Sequence, residues 1–421
     1  MNRSQRRLAI VTQDPANYGG VLRLVEYLYC RAETAGLEPT LLHYARYSEH
    51  AELHVSLANL LRGELNLIPK TKSYSFRGMA ALSTMPASST AQSSHKMRAT
   101  AIGAVFSEWE PNRLRANKEW RNALAGFDEF ILVTGSAHTG LPLVECGKKY
   151  TVWVSSTVEH DRHSRLGEGA TLANAVERMG LPSVMRAEQR VLQGASRVLA
   201  VSEDAKKHIA AIAGKDVEVW PYPVDTSRFH PTEGARPGGR APRECAPRGI
   251  SQFLFVGRAN DPRKRVNLFL EACEELQRIQ PELEFEGTIV STLLDVRKNP
   301  GFTLRHVARA SQIELIELYR NATALVVTSE QEGLGIAAME AMACGLPVIS
   351  TRCGGPETFL EDARNGFLVE DTPQAIARRM SELASNDSLC QELGNSARER
   401  IETGFSERVW NSRFEKLLET L

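Results

Sequence analysis

The chain has 421 residues, which is enough for two domains, because a single hydrophobic core rarely keeps growing beyond about 250–300 residues. Hydrophobic residues make up 42% and charged residues 24%, as in an ordinary globular protein. The 51 basic and 51 acidic residues cancel, which removes the overall electrostatic attraction expected of a nucleic-acid-binding protein.

The seven cysteines are scattered and form no C-x-x-C pair, so we expect reduced thiols and neither a disulfide framework nor a zinc site. The N-terminus lacks the apolar core and cleavage site of a signal peptide, and no apolar run reaches the roughly 18 residues of a spanning helix. We therefore expect a soluble cytoplasmic protein, with peripheral contact at the inner face of the membrane left open.

Short apolar runs rich in β-branched residues alternate with longer helical stretches, which predicts an α/β fold with parallel sheets. The first series of predicted strands lies at 8–13, 130–135, 150–156 and 197–202. Between the first two, the sequence DPANYGGVLRLVEYL places Gly19 and Gly20 at the start of a predicted helix, a pattern that a simple turn would also produce.

Two stretches of the first half have unusual composition. Residues 83–94 (STMPASSTAQSS) are too polar to pack, and we predict a mobile loop that borders a cleft. Residues 106–126 combine Trp109 and Trp120 with several basic side chains, which is compatible with contact to anionic lipid. Acidic residues interrupt the basic face, so a helix exposed to water is the favoured interpretation.

Residues 231–250 are dense in Pro, Gly and Arg and separate the first series of strands from a second. The second series lies at 253–258, 283–290, 324–329 and 347–351. We predict an N-terminal domain at 1–230, a linker at 231–250 and a second domain at 251–403. Residues 404–421 are predicted to form a helix that returns to the first domain.

The second domain contains the sequence EGLGIAAME, in which seven residues separate Glu332 from Glu340. Gly333 and Gly335 precede a run of good helix formers. The unpaired amides at such a helix start, together with the positive end of its dipole, favour binding of a phosphate.

Glu340 lies about 7 Å further along the axis of this predicted helix, which is roughly the distance of a ribose from the distal phosphate of a nucleotide. A carboxylate can accept two hydrogen bonds from a vicinal diol, so the spacing favours ribose for Glu340 and a sugar for Glu332. Two acids at this spacing are a weak signal, since solvated acids near a helix N-terminus give the same pattern.

Neighbouring segments strengthen the phosphate interpretation. Arg258 follows the first strand of the second domain, and Lys264 lies at the entry to the next helix. Ligands of open α/β sheets bind at this edge, and two fixed cations plus a helix dipole could neutralise a diphosphate without a metal ion. Arg263 and Arg265 flank Lys264, so the phosphate contact could shift by one position. A glycine turn at 353–358 is predicted to return to the same edge.

Together these motifs resemble those of a known family. The sequence SEQEGLGIAAMEAMACGLPVISTRCGGPE, with VGR and the following lysine, is similar to the retaining, nucleotide-sugar-dependent glycosyltransferases of family 4. The segment 217–231 (VEVWPYPVDTSRFHP) resembles the one that precedes the interdomain linker in that family. The resemblance implies the GT-B fold, with two Rossmann-like domains whose parallel sheets face each other across a cleft.

The resemblance also implies roles for single residues. Arg258 and Lys264 would bind the donor diphosphate, Glu332 would contact the transferred sugar, and Glu340 would hold the ribose. The family usually has glycine after this lysine, whereas this chain has Arg265, which leaves the shape of the loop open.

Further donor contacts are implied at backbone level. The amides expected near the distal phosphate are those of Leu334, Gly335 and Ile336. The residues in the place where the family lays the nucleobase against a loop are Arg305, His306 and Val307.

In the first domain, the resemblance brings the loop of Gly19 and Gly20 close to the donor phosphate. A histidine soon after the third strand lines the sugar site in many family members. Here either His160 or His163 could serve, and His160 is preferred; a surface position is the alternative.

The sequence thus predicts an enzyme that moves a hexose from a nucleoside diphosphate sugar to a hydroxyl acceptor with retention at the anomeric carbon. UDP-sugars are favoured on family frequency and GDP-mannose is second; the acceptor is a growing glycan, a lipid or a small molecule. No cofactor or metal is expected. A sugar-nucleotide epimerase and a non-catalytic nucleotide-sugar-binding protein are the alternatives, and a dehydrogenase is disfavoured because no G-x-G-x-x-G follows the strands.

Overall fold

The computed structural model describes residues 6–13, 20–45, 53, 69–77, 96–104, 109–167, 172–232, 250–292 and 301–420. The chain divides into two compact units, the first comprising Met1–Trp220 with Ser412–Leu421 and the second Pro221–Asn411. The predicted loop at 83–94 and most of the predicted linker lie outside the described residues.

The first unit is built on a sheet with strand order β3-β4-β2-β1-β5-β6-β7-β8. Its strands are β1 (Arg7–Thr12), β2 (Glu38–Tyr44), β3 (Thr71–Arg77), β4 (Lys96–Ile102), β5 (Glu129–Thr134), β6 (Thr151–Val154), β7 (Arg197–Ala200) and β8 (Glu218–Val219). The edge strand β3 runs antiparallel to β4, and the other pairs are parallel. The central strands are continuous apolar runs because helices cover both faces of such a sheet.

Helices connect these strands and cover the sheet. They are α1 (Gly20–Thr34), α2 (Glu110–Arg113), α3 (Lys118–Ala125), α4 (Leu141–Glu145), α5 (Val158–Gly167), α6 (Leu172–Gly194) and α7 (Glu203–Ala213). Trp120 of α3 is fully buried, with its ring 4.9 Å from that of Tyr44. The expectation that this tryptophan could rest on lipid is therefore wrong, because its indole belongs to the core.

The second unit contains a parallel sheet with strand order β11-β10-β9-β12-β13-β14. Its strands are β9 (Ser251–Val256), β10 (Phe285–Val290), β11 (Thr303–Val307), β12 (Ala324–Val327), β13 (Val348–Thr351) and β14 (Phe367–Val369). Its helices are α8 (Val266–Ile279), α9 (Gln312–Asn321), α10 (Ile336–Ala343), α11 (Pro373–Ser385) and α12 (Asp387–Gly404). All strands are parallel, so their carboxyl ends share one edge.

The last helix, α13 (Glu407–Glu419), enters the first unit from Ser412 onwards. Phe414 is fully buried there, with its ring 4.8 Å from Tyr27 and 5.1 Å from both Trp153 and Trp220. This aromatic cluster explains why the end of the chain packs with the first unit. Among the described residues, no helix has the length and apolar character needed to cross a membrane.

The first unit ends at Trp220 and not at the predicted residue 230. Hydrogen bonds within the second unit explain the difference. The Arg398 guanidinium donates to the carbonyl of Phe229 at 2.6 Å, and the Arg320 guanidinium donates to that of His230 at 2.8 Å. The segment that starts at Pro221 is thereby tied to helices of the second unit.

Candidate active site

The strand order of the second sheet locates the candidate site. From β9 the chain moves outward through β10 and β11, and it then returns to the other side of β9 with β12. Ligands of open α/β sheets bind outside the carboxyl ends of the strands at such a reversal. The segments that leave β9 and β12 border this crevice, and they carry Arg258, Lys264 and Glu332.

Lys264 and Glu332 form an ion pair at this edge. The lysine Nζ lies 2.5 Å from Glu332 Oε1, and the Ser329 hydroxyl donates to the same oxygen at 2.7 Å. The two charged side chains are only 22% and 14% exposed, so the pair is partly shielded from water yet accessible. Of the three neighbouring cations considered from the sequence, Lys264 is the one that contacts Glu332.

The backbone around Glu332 is fixed by the glycine turn that the sequence predicts to return here. The Glu332 amide donates to the carbonyl of Cys353 at 2.8 Å, and the Gly355 amide donates to the Glu332 carbonyl at 3.0 Å. A Cβ at Gly355 would lie 2.6 Å from the backbone N and Cα of Leu334. Only glycine permits this close approach of the two loops.

Helix α10 begins directly beyond this contact. Gly335 precedes its first residue with φ at +89°, and a Cβ there would lie 3.3 Å from Pro356 Cγ. Both features favour glycine. The amides of a first helical turn have no intrahelical acceptors, so the backbone of Leu334, Gly335 and Ile336 forms a start suited to an anion.

Arg258 is placed differently from Lys264. Its side chain is 57% exposed, and its guanidinium donates to Asp261 Oδ2 at 2.7 Å. Arg263 binds the same carboxylate at 2.9 Å. Burial alone would raise the pKa of Asp261, but the hydrogen bond and charge of Arg263 and the charge of Arg258 outweigh it and hold this pKa below its usual range.

Sequence reasoning overlooked Asp261, although the residues NDPRK contain a signal for it. Asp261 caps a 3-10 turn at Pro262–Lys264 by accepting a hydrogen bond from the Arg263 amide. An aspartate directly before a proline at the first helical position is the usual pattern for such a cap. The turn that Asp261 initiates ends at Lys264, so this carboxylate helps to place the lysine.

Arg265 stands where glycine would be expected from the resemblance, and it adopts the backbone conformation that glycine favours. Its φ and ψ are 46° and 53°, and only Arg265 and Ala363 have positive φ among the described non-glycine residues. A left-handed conformation costs about 1–2 kcal/mol for a residue with a side chain. The sequence left the shape of this loop open. In the structure Arg265 adopts the left-handed backbone conformation there.

The predicted base-contacting residues lie in a strand. Arg305, His306 and Val307 belong to β11 at the edge of the sheet, so the expectation of a loop at these positions is wrong. His306 Nε2 lies 2.8 Å from the carbonyl oxygen of Ser291, whose hydroxyl accepts a hydrogen bond from the Ala259 amide. This pairing links β11 to the segments that leave β10 and β9.

Glu340 lies inside the second unit, only 3% exposed. The Tyr319 hydroxyl of α9 donates to its Oε2 at 3.5 Å. The helix α10 that carries Glu340 also starts at Gly335, so the carboxylate and the predicted phosphate site share one element. Ribose binding by Glu340 stays a prediction.

In the first unit, the corresponding reversal of strand order lies between β1 and β5. Gly20 is the first described residue of α1 after β1, and Gly19 lies outside the described residues. Gly135 follows β5, and a Cβ there would lie 3.3 Å from Gln13 Oε1 at the end of β1. Helix α1 therefore begins in the sequence after β1, one of the two strands between which the strand order of the first sheet reverses.

His160 lies in the first turn of helix α5, soon after β6. Its Nδ1 is 2.9 Å from the Thr157 hydroxyl, and its ring centroid is 4.0 Å from that of His208. These contacts fix the imidazole close to the carboxyl end of β6. His163 belongs to the same helix, and its side chain lies outside the described part of the chain.

A buried ion-pair network, not foreseen from the sequence, lies behind this helix. Arg162 is 5% exposed and binds both carboxylate oxygens of Glu110 at 2.7 Å, and His138 Nε2 lies 3.6 Å from Glu110. Burial raises the pKa of Glu110, but the neighbouring His138 and Arg162 side chains overcome this and lower the pKa to about 2. The carboxylate is thus charged at neutral pH.

Glu188 of α6 is a second buried acid, 2% exposed, and it caps the helix that carries His160. The Val158 amide donates to both of its carboxylate oxygens, at 2.9 and 3.1 Å. Burial raises the pKa of Glu188 to about 7, although the amides of Val158 and Ala137 and the charge of Arg162 oppose the rise.

This raised pKa predicts a pH-dependent stability. The folded protein keeps a proton on Glu188 that the unfolded chain loses, so this contribution is full below about pH 4.5 and is lost as the pH rises to about 7. The loss amounts to about 3 kcal/mol at 1.36 kcal/mol per pKa unit. We expect Glu188→Gln to gain stability relative to the unaltered protein between pH 5 and pH 8, measured by urea unfolding. Glu419→Gln, at an exposed position, is the control and should show no such change.

The part of the chain that carries the candidate site is similar to known proteins. Residues 247–400 match the family model described as glycosyl transferases group 1. The D-inositol 3-phosphate glycosyltransferase of Frankia alni is 32% identical over 206 residues, 45% of this chain and 50% of that protein. The enzyme of the same name from Streptomyces bingchenggensis is 28% identical over 287 residues, 63% of this chain and 61% of that protein. The chain thus spans about half to three fifths of these relatives.

Solved structures extend the likeness of fold to almost the whole chain. Sucrose-phosphate synthase from Thermosynechococcus elongatus has a TM-score of 0.69 at 17% identity, covering 99% of both chains. Anabaena HepE in complex with UDP-glucose has a TM-score of 0.66 at 13% identity, covering 98% of this chain and all of that one. The protein has the GT-B fold, with two parallel-sheet α/β units, as the sequence predicted.

Proposed function

We propose that the protein is a retaining hexosyltransferase that uses a nucleoside diphosphate sugar as donor and a hydroxyl compound as acceptor. The observation that carries the proposal is the Lys264–Glu332 pair next to the start of α10, at the switch point of the sheet in the segment that matches the family. A cation and a carboxylate at a helix start suit a ligand with a phosphate and a polyol.

The ion pair can open for such a donor. A diphosphate oxygen would replace Glu332 as the partner of the Lys264 ammonium, and Ser329 would keep its hydrogen bond to the released carboxylate. Glu332 could then accept hydrogen bonds from hydroxyl groups of the transferred sugar. The pair thus preorganises the site. The diphosphate of the donor would take the place of Glu332 at Lys264, and the hydroxyl groups of its sugar would take the place of Lys264 at Glu332.

In the proposed reaction the bond between the anomeric carbon and the diphosphate oxygen breaks, and a bond to the acceptor oxygen forms on the same face. The acceptor proton passes to the departing diphosphate. Lys264, Arg258 and the first-turn amides of α10 stabilise the charge of the leaving group. His160 is proposed as a residue that lines the sugar site, and no side chain needs to form a covalent intermediate.

Donor preference is proposed as UDP-sugar first and GDP-mannose second. UDP-glucose is bound in the structure of Anabaena HepE, which supports uridine as the first candidate here. The relatives named D-inositol 3-phosphate glycosyltransferase support a polyol as one candidate acceptor.

A panel of UDP-, GDP- and ADP-sugars with labelled hexose tests the proposal. We expect one donor to raise the melting temperature most and to yield a glycoside when a hydroxyl acceptor is present, with the same anomeric configuration as the donor. EDTA is expected to leave this turnover unchanged, because protein cations hold the diphosphate. Rearrangement of the donor without acceptor would indicate an epimerase instead, and binding without any turnover a non-catalytic protein.

A further inference from the structure

Arg265 has no role in the proposed reaction, yet its backbone is strained. It ends the 3-10 turn that carries Lys264 and also precedes the first residue of α8. Its backbone stands in the left-handed region, which side chains other than glycine rarely adopt. Such strain persists only where surrounding contacts enforce it, and it is concentrated at functional sites.

The guanidinium of Arg265 supplies those contacts. Its Nε donates to the carbonyl of Thr328 at 3.0 Å, and its Nη1 donates to Asp371 Oδ2 at 2.9 Å. The hydrogen bond and charge of Arg265 lower the pKa of Asp371. The arginine side chain is 26% exposed, whereas that of Asp371 is 64% exposed, so the bond to Thr328 is the more shielded of the two.

Thr328 binds back to the same turn. Its hydroxyl is buried and lies 2.9 Å from the Lys264 carbonyl and 3.1 Å from the Arg265 carbonyl. Two residues after Thr328, the Glu330 amide donates to the Arg263 carbonyl at 2.8 Å. These hydrogen bonds fasten the turn that carries Lys264 to the loop that carries Glu332. Among the residues of the turn, Arg265 is the one whose side chain contributes to them.

We propose that Arg265 is a positioning residue for donor binding: its guanidinium fastens the Lys264 turn to the Thr328–Glu332 loop and so sets the place of the Lys264 ammonium group. The inference rests on the proposed function, because the ligand of Lys264 is taken to be the donor diphosphate. A glycine at this position would adopt the same backbone without strain but would remove the guanidinium bonds, so that only the Thr328 hydroxyl and the Glu330 amide would still join the two loops. The single substitution Arg265→Gly therefore removes the guanidinium hydrogen bonds without adding backbone strain.

The test uses the nucleoside diphosphate, among UDP, GDP and ADP, that binds the unaltered protein best in calorimetry. Arg265→Gly is expected to keep its melting temperature within a few degrees and to bind this nucleotide about 10-fold more weakly. Arg265→Lys keeps the charge but lacks the forked guanidinium that reaches both partners. Its Kd is expected to lie between that of the unaltered protein and that of Arg265→Gly. Ala363→Gly is the matched control, since it relieves the other left-handed residue of the described chain and should leave the Kd unchanged.

A double-mutant cycle with Lys264→Met separates positioning from direct contact. If Arg265 acts through Lys264, Arg265→Gly should change the Kd less than 2-fold once the lysine is gone. An equal 10-fold loss in both backgrounds would overturn the inference, since Arg265 would then meet the ligand itself. So would an unchanged Kd of Arg265→Gly in the presence of Lys264. If no nucleoside diphosphate binds the unaltered protein, the proposed function fails and this inference with it.

Discussion

Lys264→Met is expected to lower kcat/KM for the proposed hexosyl transfer by about 10²–10³-fold. Removing one preorganised group that stabilises charge in a transition state costs about 2.7–4 kcal/mol in comparable sites. The substitution keeps an unbranched side chain of similar length but removes the ammonium that lies 2.5 Å from Glu332. Glu332 then keeps the hydrogen bond from Ser329, so the loop need not collapse.

The protein should stay folded, because the pair is only partly buried and Glu332 keeps the hydrogen bond from Ser329, so the loss should be smaller than the roughly 3–5 kcal/mol of breaking a fully buried pair. Steady-state rates with the preferred donor and calorimetric affinity for its nucleoside diphosphate are the measurements. Arg278→Met is the control, since this arginine is 70% exposed and pairs with Glu275 of its own helix α8. Full activity of Lys264→Met would show that the diphosphate binds elsewhere.

The sheets were predictable to different degrees from the sequence. The eight predicted strands all occur, because β1, β5, β6 and β7 and their counterparts in the second unit are continuous apolar runs. Six described strands were missed, namely β2, β3, β4, β8, β11 and β14, and four of them (β3, β8, β11 and β14) lie at the edge of a sheet. Edge strands bury less surface, so their sequences carry polar residues that resemble loops.

The candidate site was predictable where local chemistry decides the geometry. Gly335 is favoured by its positive φ, and Gly355 is needed because its backbone closely approaches that of Leu334; both glycines are visible in the sequence. Arg265 gave no such signal, because its left-handed conformation is imposed by Thr328 and Asp371, which are distant in sequence. Tertiary contacts of this kind override local preference, so they become visible only in the structure.

The ion-pair network of the first unit could not be predicted from the sequence for the same reason. Glu110, Arg162 and Glu188 come from three different helices and meet only after the sheet has formed. Taken singly, each resembles a solvated surface charge. The network is a consequence of the parallel topology, which brings the segments after β4, β5 and β6 to one edge.

Gly355→Ala is expected to have the second large effect, on both activity and stability. The added methyl group would lie 2.6 Å from the backbone N and Cα of Leu334, and a backbone neighbour cannot rotate away as a side chain could. The loop from Glu332 to Gly335 must therefore shift, which displaces the carboxylate of Glu332 and the start of α10. Overpacking of this kind costs about 1–3 kcal/mol, so the melting temperature should fall by roughly 2–10 °C.

Donor affinity should fall more steeply than stability, because a shift of about 1 Å in a positioning loop can reduce rates by about 100-fold. Differential scanning calorimetry and nucleotide titration on the same samples give the two quantities. Gly301→Ala provides the comparison, since a Cβ at Gly301 meets no atom within 4 Å, and both quantities should be unchanged. Normal nucleotide binding by Gly355→Ala would mean that the contact between the two glycine loops does not shape the donor site, and the anion-binding role of the α10 start would have to be abandoned.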